Sequence, residues 1–237
     1  GSIEVWDAGR GRITHTWRNK AAITGLRLTP EGRYAVSGDS DWRVAVWDLH
    51  HGRRRSLLVG HEGPVREIAV TADGCTIVTC SGDRTIRAWN MDDGRCYGTV
   101  CTLEQPIVSV APDPRGERIL ALVGDTSLKL IRLNLSRYVE QALRTATIVS
   151  CPRIGQPRLE RIGTMSMVGT TLALSSSGNY AVTGTREGAV AVWDLTRDKL
   201  LRTIERGTAP VSCVACPRDS FDGFLVGRET AVRLCSF

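Results

Sequence analysis

Histidine and cysteine are the residues whose chemistry is sought first, and the chain has 4 of the former and 8 of the latter. The pair His50-His51 could hold a metal ion, yet two neighbours in a polar turn read better as solvated side chains. Cys213 and Cys216 form a single CxxC. A structural zinc site needs a second pair at suitable spacing, and Cys235 alone does not supply it. Residues three apart on a strand also point to opposite faces, which argues against joint ligation. Cys96 and Cys101 flank an expected strand and read as thiols, not a disulfide. Six of the cysteines lie on or beside expected strands, the usage of small core residues in a reducing compartment. No phosphate-binding GxxxxGK[ST], no GxGxxG between strand and helix, no HExxH and no GxSxG is present. The reading is of no catalytic, cofactor-binding or metal-ligating residue, and no enzyme. The sequon Asn134-Leu135-Ser136 reads as silent without a signal peptide.

Composition narrows the classes further. The 237 residues carry Lys+Arg 31 against Asp+Glu 25, a net charge of +6, 42% hydrophobic residues and 5% aromatic ones. Those figures exclude a collagen, a mucin-like stalk and an acidic disordered tail. No apolar run approaches the roughly 18 residues of a membrane span, and the N-terminus lacks a basic-then-apolar leader. The expected location is therefore cytoplasmic, with the nucleus as the alternative. The positive charge is almost all arginine, 28 Arg to 3 Lys. Arginine's rigid donor fork suits ion pairs and interfaces as well as nucleic acid.

The elements that must position any site come from an internal repeat. Segments ending at Trp6, Trp47, Trp89, Ile131, Trp193 and Cys235 align at spacings of 41, 42, 42, 62 and 42. The ends, such as WRVAVWD and EGAVAVWD, alternate apolar and polar residues, the period of a half-buried strand. Upstream of each lie a turn and an apolar run (PEGRYAVSG, ADGCTIVTC, SSGNYAVTG), and before it another alternating run, such as Ile23–Leu28, Val65–Val70, Ile107–Ala111 and Val211–Ala215. A fourth follows, as in Arg53–Val59, Arg95–Val100 and Lys199–Ile204. Four short strands in about 42 residues make one antiparallel blade, which buries its faces only against neighbours.

At this point the chain resembles the WD-repeat β-propeller family from end to end. The resemblance implies an all-β fold: a propeller of four-stranded antiparallel blades, about five plus a partial one. Residues 1–237 then form one WD-repeat segment with repeat ends near Asp7, Asp48, Asn90, Arg132, Asp194 and Ser236. In the most complete repeat, His61, Thr79, Asp83 and Trp89 fall where the family places a structural hydrogen-bonded tetrad. The carboxylate would accept from the ring and the threonine hydroxyl, and the indole N–H would find its own partner. The second repeat keeps Ser37, Asp41 and Trp47, with Asn19 at the histidine position. The fifth keeps Thr183 and Trp193, with Glu187 for the aspartate. The fourth keeps Asp125, and the sixth has Glu229, with Cys235 at the tryptophan position.

Two departures matter. The chain starts just after the position of the first repeat's tetrad aspartate and ends just past the third strand of the last repeat. Closure in the family's usual manner would pair Gly11–Trp17 with the last three strands and leave residues 1–7 spare. A seven-bladed ring needs roughly 290 residues, so this length reads as part of a larger propeller, within a larger polypeptide or complex. Secondly, the interval from Ile131 to Trp193 carries 20 extra residues within about 134–165. That insertion holds Arg137, Arg144, Arg153, Arg158 and Arg161 against Glu140 and Glu160, a charge of +3. Thr145–Val149 or Tyr138–Leu143 is expected to supply the missing outer strand, and the rest to project as a loop.

The resemblance also implies a binding surface. Propellers of this family are rigid scaffolds whose loops at the narrow end hold peptides or proteins. Carried over position by position, the candidates are Trp42, Arg66, Arg84, Arg186 and Arg228. Trp42 aligns with Arg84, Thr126, Gly188 and Thr230, so nothing in the repeat calls for an indole there. Exposed Trp beside arginine is the composition of an interface hot spot, and the arginines suit an acidic or phosphorylated segment. The run Arg53-Arg54-Arg55 could meet an acidic partner or phosphates, and a charged edge strand held back from aggregation explains it equally well. Nucleic acid lacks its other marks, since no platform of repeated aromatics is present. The expected function is a non-catalytic protein-interaction scaffold. The alternatives are a sensor or autoinhibitory propeller of a NACHT-type signalling ATPase, or binding of nucleic acid and acidic surfaces through arginines.

Overall fold

The computed structural model describes residues 1–114, 116, 118–124, 127–132, 139, 158–164, 169–206, 209–216, 223–228 and 231–236. Their order is all-β, in two compact units, one built on Gly1–Thr102 and one on the strands from Ile107 onward.

The first unit opens with β1 (Ser2–Asp7) and β2 (Arg12–Arg18), an antiparallel pair. Residues 1–7 are thus not spare: they are the partner of the Gly11–Trp17 segment, whose backbone pairs from Ser2↔Arg18 to Asp7↔Arg12. Two four-stranded sheets follow. One is β3 (Ile23–Leu28), β4 (Tyr34–Asp39), β5 (Val44–Asp48) and β6 (Arg53–Leu58); the other is β7 (Val65–Val70), β8 (Thr76–Ser81), β9 (Thr85–Asn90) and β10 (Cys96–Thr102). Each runs in sequence order from inner to outer strand, the blade of a β-propeller.

The second unit repeats the pattern with β11 (Ile107–Pro112), β12 (Arg118–Val123), β13 (Ser127–Arg132) and β14 (Arg158–Thr164). Next come β15 (Gly169–Leu174), β16 (Tyr180–Thr185), β17 (Ala189–Asp194) and β18 (Lys199–Arg206). A three-stranded sheet of β19 (Val211–Ala215), β20 (Gly223–Arg228) and β21 (Ala231–Ser236) ends the chain. The outer strand of the 62-residue interval is Arg158–Thr164, not Thr145–Val149 or Tyr138–Leu143. It pairs with β13 from Ser127↔Thr164 to Arg132↔Arg158. A charged strand suits a position with one open edge, so Arg158, Glu160 and Arg161 belong to a blade and not to a loop. Arg137, Glu140, Arg144 and Arg153 lie outside the described residues.

Two turns recur, and each follows from its residues. Between the first two strands of a blade, glycine closes a four-residue turn in the left-handed region, with φ +70° at Gly32 and +72° at Gly74. Its N–H donates to the Thr29 and Thr71 carbonyls at 2.9 Å in both cases. The hydroxyls of those threonines then accept from the amides of Tyr34 and Thr76 at 3.0 Å. Between the third and fourth strands, the acid that ends the tryptophan dipeptide caps the turn. Asp48 accepts from the amides of His50 and His51 at 3.0 and 2.9 Å, and Asp194 from those of Thr196 and Arg197 at 2.9 and 3.2 Å. Asp7 does the same for Gly9 and Arg10, and Asn90 for Asp92 and Asp93. His51 closes back on Asp48 through Nδ1 at 2.9 Å, so the turn occupies a residue considered for metal binding.

Packing lies between neighbouring sheets. In the first unit Tyr34, Val36, Val46 and Leu58 of one blade meet Val65, Ile68, Ile77 and Trp89 of the next. Trp17 stacks on Trp47 with ring centroids 4.8 Å apart, and its indole donates to the Gly52 carbonyl at 2.9 Å. In the second unit Val182, Val190 and Val192 meet Val211, Phe224 and Val226. At Gly38 two blades of the first unit approach closely: a Cβ there would stand 2.6 Å from Val65 Cγ1. Gly184 makes the same approach to Val211 in the second.

Candidate functional site

The site is built on the connections between the second and third strands of each blade. Asp39, Ser81, Val123 and Thr185 end their strands, and Thr85, Ser127 and Ala189 start the next; after Asp39 the strand resumes at Val44, and the connection closes one residue earlier, where the Asp39 amide donates to the Arg43 carbonyl at 3.0 Å. Three residues bridge each gap, and a three-residue hairpin of this kind takes a type I turn followed by one left-handed residue. The third position is that residue: Trp42 has φ +70°, Arg84 +68° and Gly188 +82°. Their amides donate back to the Asp39, Ser81 and Thr185 carbonyls at 3.4, 3.1 and 3.2 Å. Glycine meets this geometry without strain; for tryptophan and arginine it costs on the order of 1–2 kcal/mol.

Beneath the β8–β9 connection lies a buried polar chain. His61 Nδ1 stands 2.8 Å from Asp83 Oδ2, and Nε2 stands 2.7 Å from Thr79 Oγ1. The Trp89 indole donates to the same Thr79 oxygen at 2.8 Å. A carboxylate can only accept, so the ring carries its proton on Nδ1; Nε2 then accepts from Thr79, whose oxygen accepts from the indole. The threonine hydroxyl on the carboxylate is therefore not Thr79. It is Thr85, which donates to Asp83 Oδ1 at 2.7 Å, joined by its own amide at 2.8 Å and the Glu62 amide at 3.0 Å. Burial works to raise the Asp83 pKa, but the hydrogen bonds from His61, Thr85 and Glu62 outweigh it and hold the carboxyl well below its ordinary range.

The β3–β6 blade rebuilds this arrangement with one substitution of place. Trp47 donates to Ser37 Oγ at 2.8 Å. Asp41, aligned with Asp83, is instead exposed and pairs with Arg43 at 3.7 Å. The buried carboxylate is Asp39, which accepts from Asn19 Nδ2 at 3.0 Å and from the amides of Asp41 and Arg43 at 2.9 and 3.0 Å. Asparagine is shorter than histidine, so the acid that meets it stands two residues earlier, at the strand end. In the β15–β18 blade Trp193 donates to Thr183 at 2.9 Å, Glu187 is exposed, and Thr185 Oγ1 receives the Ala189 amide at 3.0 Å. Asp125 and Glu229 lie outside the described residues, as does the side chain of Cys235. Asp39 and Thr85 escaped the sequence reading; the signal for the former was a polar residue recurring at strand ends, as in Ser81 and Thr185.

The surface candidates fare differently from one another. Trp42 keeps 48% of its surface exposed, whereas Trp47 and Trp89 keep 7% and 1%. Arg66 and Arg84 are exposed in the same unit, and Arg186 is exposed in the second. Arg228 is not a loop residue. It pairs with Ala231, leaving a two-residue connection where the other blades have three, so it corresponds to Asp39 and Ser81 and not to the loop. Its guanidinium donates to the Gly188 carbonyl at 3.0 Å, a structural tie between neighbouring blades. Thr170 makes a second tie between neighbouring blades, donating to the Val211 carbonyl at 2.7 Å. Among the described residues, no group of three or more His, Cys, Asp or Glu side chains could hold a metal ion.

Comparison with known families finds the WD domain, G-beta repeat, at residues 11–48, 52–90 and 163–194. The chain carries WD repeats at these three positions. Among similar proteins, Cilia- and flagella-associated protein 52 of Sus scrofa is 36% identical over 50 residues, covering 21% of this chain and 8% of that protein. Its Homo sapiens counterpart is 30% identical over 71 residues, covering 29% and 12%. The Periodic tryptophan protein 2 homolog of Dictyostelium discoideum is 33% identical over 72 residues, covering 29% and 8%. The matched stretches therefore span only 8–12% of these relatives. As a WD-repeat chain, this one has Asp7, Asp48, Asn90 and Asp194 at the dipeptide's second position, each capping its turn as described above.

Proposed function

We propose that this WD-repeat chain is a non-catalytic scaffold that binds a protein or peptide partner through the three-residue connections of its blades. WD repeats generally mediate protein–protein interaction, and the reading here is supported above all by Trp42. An indole stands half-exposed in left-handed backbone where Gly188 fills the same position without strain. Strain retained at a surface residue marks a position kept for something other than folding, and Trp is the residue most often found at interface hot spots. Arg66 and Arg84, exposed in the same unit, favour an acidic or phosphorylated segment. Among the described residues no helix is long and apolar enough to cross a membrane. We place the chain in the cytoplasm, and the relatives' names add cilia and flagella as locations to examine with a fluorescent fusion.

The test replaces Trp42 with a photo-crosslinking phenylalanine analogue, with Arg54 replaced in parallel as a control. Crosslinks to one discrete partner at position 42 and none at 54 are expected. Trp42→Gly should abolish capture of that partner while stabilising the fold by up to about 1 kcal/mol. Equal capture by wild type and Trp42→Gly would sink the reading.

A further inference from the structure

The geometry points to Ser56 as a phosphorylation site, with the outer strand β6 as the element that its modification releases. Ser56 is preceded by Arg53, Arg54 and Arg55, and it is the one hydroxyl of the chain with arginine at both the second and third positions before it. All three arginines are exposed. An acceptor with cationic residues at fixed upstream offsets is what an acidic kinase groove reads, since guanidinium forks pair with carboxylates.

The structure adds an independent observation. Ser56 Oγ is buried and has no hydrogen-bond partner among the described residues. Its contrast is with the buried hydroxyls of Thr29, Ser37, Thr71, Thr79 and Ser81, each of which holds a bond in a turn or tetrad. A buried polar group without a partner calls for an explanation outside packing, and a hydroxyl that contributes nothing to the fold is kept for its chemistry. The strand around it is built to open. β6 lies at the end of its sheet, and its register with β5 breaks between Trp47↔Arg54 and Val46↔Ser56, leaving Arg55 bulged. Arg55 holds the strand down through a half-exposed pair with Asp92 at 3.0 Å and by lying over the Tyr34 ring at 4.7 Å. Ser56 packs against Gly94, where a Cβ would stand 3.1 Å from Ser56 Cβ and 2.8 Å from Leu58 Cδ2. That space admits no phosphate.

Modification therefore requires β6 to detach, and a modified strand cannot re-dock. In the step, Ser56 Oγ attacks the γ-phosphorus of ATP and the bond from that phosphorus to the β–γ bridging oxygen breaks. ADP departs with the electron pair, and the hydroxyl proton passes to the kinase's carboxylate base. The product carries about −2 charge beside three guanidiniums, which draws Arg55 away from Asp92.

The test uses the intact chain, ATP with magnesium, and the catalytic subunit of a kinase selective for arginine two and three residues before the acceptor. Phosphate on Ser56 is expected, absent in Ser56→Ala and slowed at least tenfold in Arg53→Gln/Arg54→Gln. Amide exchange of residues 53–58 should accelerate at least tenfold in the modified chain, and Gly94→Ala should speed phosphorylation of the intact protein. The site is overturned if Ser56 stays unmodified in the intact chain while a peptide spanning residues 50–60 is phosphorylated, or if the arginine variant reacts at the wild-type rate. Phosphate on Ser56 with unchanged exchange of β6 overturns the release.

Discussion

His61 and Asp83 show how one residue pair is locked by its surroundings. The side chains are almost wholly enclosed, at 1% and 8% exposure, and the polar side-chain atoms of Asp83, His61, Thr79 and Trp89 all have partners. Removing the ring in His61→Ala leaves a carboxylate in a site that excludes water. The expected cost is about 3 kcal/mol, at the low end because Thr85 and Glu62 still reach Asp83; chemical denaturation measures it. Asp41→Ala, by contrast, removes an exposed pair with Arg43 and should cost under about 1 kcal/mol. Equal losses from His61→Ala and Asp41→Ala would contradict the assignment of the buried carboxylate in the β3–β6 blade to Asp39. The tetrad was legible in the sequence where the repeat is most complete. It was not legible in the second repeat, because spacing alone cannot tell which of two nearby aspartates is turned inward when the ring opposite becomes a shorter amide.

At the scale of the element, strands were read closely because period-2 alternation survives in nearly every one. The expected Ile23–Leu28, Val65–Val70 and Val211–Ala215 coincide with β3, β7 and β19. The outer strand of the 62-residue interval was misplaced for a physical reason. A strand with one open edge needs little apolar content, so RLERIGT looks like loop until its partner is known. Arg228 was misread because a one-residue shortening of a connection moves every residue after the strand by one place. The glycines at the ends of the second strands carry a prediction of their own. Gly38→Ala would push a Cβ against Val65 across the blade interface, and Gly184→Ala would do so against Val211. Each should destabilise by about 1–3 kcal/mol, read as a lowered thermal midpoint. Gly32→Ala loses a left-handed turn residue but meets no atom within 4 Å; its cost should be the smaller.

At the scale of the molecule, the depressed carboxylates set the response to acid. Asp83 is held low as described; Asp48 is lowered to about 2, chiefly by the His51 amide and ring; Asp194 is lowered chiefly by the Thr196 hydroxyl. Each binds its proton less readily folded than unfolded, so the unfolded chain takes up more protons as the pH falls. Their stabilisation is complete above about pH 4–5 and drains away as pH drops through 4 toward 2. Urea midpoints should be flat from pH 7 to 5 and fall steeply below 4; a midpoint unchanged at pH 3 would remove these groups as the cause. Composition alone pointed to a net charge of +6 without showing that three of the acids carry turns and a buried network. Trp42 has a bearing on how this chain could be altered by selection. A library screened only for survival at high temperature rewards relief of left-handed strain, so position 42 should drift to glycine among the survivors. If Trp42 holds the partner as proposed, such a screen would return hardier proteins that had silently discarded it, and only a second screen for capture would reveal the loss.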